Sequence, residues 1–62
     1  MAVRDLAADL SLIENKIRAL RIIINLPITQ HRDLTVGEKE KVKLILSEIL
    51  TIINKYLSEL QQ

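Results

Sequence analysis

Apolar residues in the first half of the chain fall at Val3, Leu6, Leu10, Ile13, Ile17, Leu20 and Ile24, stepping 3, 4, 3, 4, 3, 4. That heptad spacing specifies an amphipathic helix and excludes a strand, which needs alternation by two. Val42, Leu46, Ile49, Ile53, Tyr56 and Leu60 repeat the pattern in the second half. Between the halves stands Pro27, which lacks an N–H and disfavours helical geometry at Leu26. The spacing therefore predicts a first helix over about 3–26, a loop over 27–34 and a second helix over about 36–60. Thr35-Val36-Gly37-Glu38 matches a capping box, which marks where the second helix starts. Both helices come to roughly 36 Å at 1.5 Å per residue. Equal arms and a short loop predict an all-α antiparallel hairpin, with residues 1–62 as one domain.

The apolar face of the second helix is wider than one neighbour can cover. Ile45 and Ile52 flank the main stripe on one side, Leu50 and Leu57 on the other. A face of about half the circumference needs more than one partner helix. Two hairpins joined as a four-helix bundle supply it. Chain length points the same way, because so few residues bury little surface unless disulfides, metal or a second chain help. Cysteine is absent and His31 is the only histidine, so thiolate and multi-histidine metal sites are excluded. The expected oligomer interface is Leu6, Leu10, Ile13, Ile17, Leu20 and Ile24 of the first helix. The second helix adds Val42, Ile45, Leu46, Ile49, Leu50, Ile52, Ile53, Tyr56, Leu57 and Leu60. Tyr56, the sole aromatic, is expected at the rim with its hydroxyl at the surface.

Net charge is only +1, but it is unevenly spread. Folded at residues 27–34, the chain carries Lys16, Arg18, Arg21, Arg32, Lys39, Lys41 and Lys43 toward the loop, against Asp33, Glu38 and Glu40, or 7 − 3 = +4. The open end holds Arg4 and Lys55 against Asp5, Asp9, Glu14, Glu48 and Glu59, or 2 − 5 = −3. Two such hairpins attract with their loops at opposite ends, so a homodimer of that arrangement is expected.

A second apolar strip on the first helix, Leu12, Ala19, Ile22, Ile23 and Leu26, lies largely off the heptad seam. Ile28 and Leu34 are expected to fold back over its lower half; uncovered, it reads as a docking surface for another protein. The basic loop end suggests a weaker alternative, nucleic-acid binding through Arg18, Arg21, Arg32, Lys39, Lys41 and Lys43. Stacking aromatics, which usually accompany such binding, are missing.

Catalysis finds little support. His31 follows a proline in the loop and has no Ser or Cys nucleophile at a recognisable spacing, so it reads as a solvated loop residue. Asp5 and Asp9, four apart at a helix start, are placed where acids stabilise the macrodipole. No catalytic residue, cofactor or metal is expected. The N-terminal ten residues carry Arg4, Asp5 and Asp9 and lack the apolar core of a signal peptide. No apolar stretch approaches the roughly 20 residues that span a bilayer, so a cytoplasmic location is expected.

The order Lys16-Ile17-x-x-Leu20-Arg21, Ser47-Glu48-Ile49-Leu50 and Ile53-Asn54-Lys55-Tyr56 resembles the small sporulation-type aspartyl-phosphate phosphatases, over roughly Ile13 to Leu57. Those are helical hairpins that bind a phosphorylated response regulator, and the resemblance implies such a partner. The family's signature carries a central Asp. Thr51 takes that place when Ser47 is aligned, and Leu50 when Tyr56 is aligned, the spacing being one residue short. The main expectation is therefore a non-enzymatic interaction module of a small regulator or adaptor.

Overall fold

The computed structural model describes residues 2–61, and it is a hairpin of two α-helices, α1 (Val3–Thr29) and α2 (Val36–Leu60). It is a rod of 45 × 17 × 14 Å with the two helices in contact along its length. No described helix is long and apolar enough to cross a membrane.

α1 runs three residues past its expected end. Pro27 lies inside it and is its only buried residue. Pro27 lacks an N–H and so forfeits one ladder bond, to the Ile23 carbonyl, and α1 carries on for only two residues beyond it. The helix stops instead at a Schellman cap. His31 adopts φ 51°, its N–H donates to the Ile28 carbonyl (3.2 Å), and the Arg32 N–H donates to the Pro27 carbonyl (3.1 Å). His31 is thus the left-handed residue that turns the chain out of α1. Glycine adopts that conformation without strain, whereas other residues lose about 1 kcal/mol or more there. His31→Gly should raise stability by roughly 0.5–1 kcal/mol, read as a thermal midpoint a few degrees higher.

α2 begins at the capping box expected from its sequence. The Glu38 N–H donates to Thr35 Oγ1 (3.2 Å) and the Thr35 N–H donates to Glu38 Oε1 (2.9 Å). The same carboxylate receives both terminal nitrogens of Arg32, at 2.8 and 3.3 Å. Arg32 also reaches the Gln30 side chain (2.6 Å) and the Asp33 carbonyl (2.9 Å), so one guanidinium gathers the whole connection. Arg32 first, and the Thr35 N–H with it, hold the Glu38 carboxyl at about 2, below its ordinary 4.5. A carboxyl lowered by folding contributes stability above its unfolded value, and the contribution is lost as pH falls toward the folded one. Denaturant midpoints should therefore drop between pH 4.5 and about 2. Glu38→Gln should flatten that part of the profile while matching the parent at its acid end.

Candidate protein-interaction face

The residues between the helices form a narrower set than the aliphatic stripes. On α1 the buried and half-buried positions include Leu6, Asp9, Ile13, Lys16, Leu20, Ile23 and Pro27, again at alternating steps of 3 and 4. On α2 they are Val42, Ile45, Ile49, Ile52 and Tyr56, with Glu38 and Glu48 beside them. Two polar side chains thus stand in the α1 seam, and each is answered across it. The Lys16 ammonium pairs with the Glu48 carboxylate, and the Tyr56 hydroxyl donates to Asp9 Oδ2. Lys55 adds a cation 3.5 Å from Asp9 and 5.0 Å from the centre of the Tyr56 ring.

Tyr56 therefore differs from the expected rim residue. It is 7% exposed, the most buried side chain of α2, and its hydroxyl is tied to the opposite helix. The Tyr56 hydroxyl, opposed by burial and helped by Lys55, holds the Asp9 carboxyl below its ordinary value. Asp9 in turn, together with burial, pushes the phenol up. Asp9 is thus a seam residue and not simply an acid at the start of a helix.

The expected interface residues divide into two groups. Leu6, Ile13, Leu20, Ile24, Val42, Ile45, Ile49, Ile52 and Tyr56 are buried or half-buried within the single hairpin. Leu10, Ile17, Leu46, Leu50, Ile53, Leu57 and Leu60 are exposed, Leu46 and Leu57 at 51% and 47%. At about 100° per residue the exposed members sit roughly a quarter turn from the seam on each helix. In an antiparallel pair both quarter turns lead to the same side. One groove confirms it at the open end, being lined by Leu6, Leu10 and Ile13 of α1 with Ile53, Tyr56, Leu57 and Leu60 of α2. Toward the loop the face continues in two recesses. One is lined by Leu34, Val42, Leu46 and Leu50 with Lys39, Lys43 and Ser47, the other by Ile17 with Glu14, Arg18 and Arg21.

The second strip lies elsewhere. Leu12, Ile22 and Leu26 are roughly 120–160° around α1 from Leu10, and all three are exposed, Ile22 at 71%. Ala19 and Ile23 are half-buried, closer to the seam. The loop does not cover the strip as expected. Ile28 is itself 63% exposed, and Leu34 lies along α2. The basic loop end is likewise smaller than its sequence suggests, because Arg32 is engaged by Glu38.

Among the described residues no group of three His, Asp or Glu side chains is close enough to hold a metal ion. The phosphatase-like positions carry helix contacts: Ser47 Oγ donates to the Lys43 carbonyl (2.8 Å) and Thr51 Oγ1 to the Ser47 carbonyl (3.0 Å). No protein-family model, curated protein or solved structure matches the chain.

Proposed function

We propose that this chain is a non-enzymatic interaction module that works as a homodimer, two hairpins closing into a four-helix bundle over the apolar face. The observation that carries the reading is the exposed aliphatic surface. Fourteen of the chain's 24 Leu, Ile and Val residues are exposed, and half of those lie on this one face. Contiguous apolar patches of that kind mark interaction surfaces. Area gives a second support. A compact monomer of 7.1 kDa exposes about 4,100 Å², whereas the hairpin exposes 5036 Å². The excess, about 900 Å², is close to the roughly 800 Å² that each partner contributes to a standard interface.

Sedimentation of the full chain at micromolar concentration tests this reading. A two-chain species is expected, converted to one chain by Leu10→Glu/Leu57→Glu, since both positions are exposed in the hairpin and need no water-free environment to fold. A compact single chain that melts cooperatively would overturn the proposal.

A further inference from the structure

Resting on that self-association, we infer that the second copy sits with α1 against α1 and α2 against α2, its loop at the far end, on a twofold axis passing beside Ile17. Two geometries close the apolar face of one hairpin on that of another. An axis along the rod sets α1 over the partner's α2 with both loops together. An axis across the rod sets each helix antiparallel to its own copy. Charge on the rim of the face separates them.

Lys16 pairs with Glu48 and Asp9 with Tyr56, so positions at equal height on the two helices sum to about 64 or 65. With loops together, Arg21 would stand at the height of the partner's residue 44, beside the Lys43 that borders the same face. Glu14 would stand at the height of Thr51, with no cation on that rim. Like charge would meet like, and the acid would be left alone.

With loops apart, full overlap puts the midpoints of α1 (3–29) and α2 (36–60), residues 16 and 48, on the axis. Facing positions on α1 then sum to about 32–34. Ile17 meets its own copy and Leu10 meets Ile24. Glu14 comes level with Arg18 and near Arg21, and the symmetry makes each contact twice. The recess lined by Glu14, Ile17, Arg18 and Arg21 is in this way complementary to itself. On α2, Leu46 meets Leu50, and the stems of Lys39 and Lys43 cover the ends of the partner's stripe.

The chain lacks cysteine, so a single introduced thiol reports the axis without interference. Helices packed about 10 Å apart bring facing Cα atoms to about 5.4 Å, inside the range of about 4.4–6.8 Å that a disulfide spans. Ile17→Cys should form a covalent dimer on mild oxidation, and Ile22→Cys, on the other side of α1, should not. Glu14→Arg should weaken the dimer about tenfold at low salt. Mixing it with Arg18→Glu/Arg21→Glu chains should restore pairing as a heterodimer, because every rim contact then joins opposite charges. If the parent chain sediments as a dimer but Ile17→Cys fails to crosslink, or if the charge variants do not rescue one another, this arrangement is wrong and self-association stands. If the parent chain sediments as a monomer, both fall.

Discussion

Ile49→Asp should leave the chain without a cooperative melt and without assembly, at any concentration that sedimentation can reach. Ile49 is the midpoint of the α2 seam, half-buried within the hairpin and flanked by Ile45 and Ile52. An aspartate there removes apolar burial and places a carboxylate among aliphatic side chains. Its nearest charged neighbours in sequence are Glu48, already engaged by Lys16, and Lys43 and Lys55, each six residues away on other faces of the helix, Lys55 engaged by Asp9. An uncompensated buried charge costs roughly 3–5 kcal/mol. A single core of this size supplies no more than about that in total. Loss of the helical circular-dichroism signal at 25 °C is the expected readout, and a folded, oligomeric variant would show the core to lie elsewhere.

Tyr56→Ala should be nearly as damaging, for a different reason. The ring is the most buried side chain of α2, and its removal opens a hole where no other aromatic can fill in. It also strips Asp9 of its hydroxyl partner, leaving a half-buried carboxylate with only the more distant Lys55. The expected result is a chain largely unfolded at room temperature, seen as a broad, non-cooperative melt. Tyr56→Phe separates the two contributions by keeping the ring. It should fold, with a lower midpoint than the parent at neutral pH. The deficit should shrink in acid: the Asp9 carboxyl is lowered by folding, so its contribution is present above the ordinary value of 3.8 and lost below it. The phenol titrates in the opposite sense. It is raised by Asp9, so its contribution holds below 10.0 and fades as pH climbs through the folded value. Because Tyr56 is the sole aromatic, phenolate absorbance reads this directly, and Asp9→Asn should bring the transition down toward 10.0.

The two helices, their antiparallel return and the Thr35–Glu38 cap were legible in the sequence because each rests on local chemistry: a 3–4 spacing, a helix breaker, a capping box. The end of α1 was not, because a proline costs a helix one ladder bond without forbidding it, and α1 absorbs that loss for the two residues after Pro27 before the His31 cap ends it. The seam was half legible. Leu6, Ile13 and Leu20 belong to the aliphatic stripe, but the positions linking them are Asp9 and Lys16, which a count of apolar residues passes over. Their signal was present in the spacing alone, since Leu6, Asp9, Ile13, Lys16 and Leu20 step 3, 4, 3, 4. Once polar residues occupy inward positions, the stripe rotates, and Leu10 and Ile17 turn from seam to surface. Sequence spacing could list the apolar side chains but not divide them between the seam of the hairpin and its exposed face. That division depends on how the helices are rotated about their axes, which the Asp9–Tyr56 and Lys16–Glu48 contacts decide.

Those two contacts also act as a ruler. Aliphatic side chains tolerate sliding, and α1 moved along α2 by one turn, about 5.4 Å, would still find Leu and Ile opposite. It would not find a phenol for Asp9 or a carboxylate for Lys16 at the same time. The helices are notched at one alignment, and the notches do not depend on the connecting turn. If that turn is opened, α1 of one copy meets the same notches on α2 of another, so helix exchange between copies is available at the native alignment and disfavoured at every other.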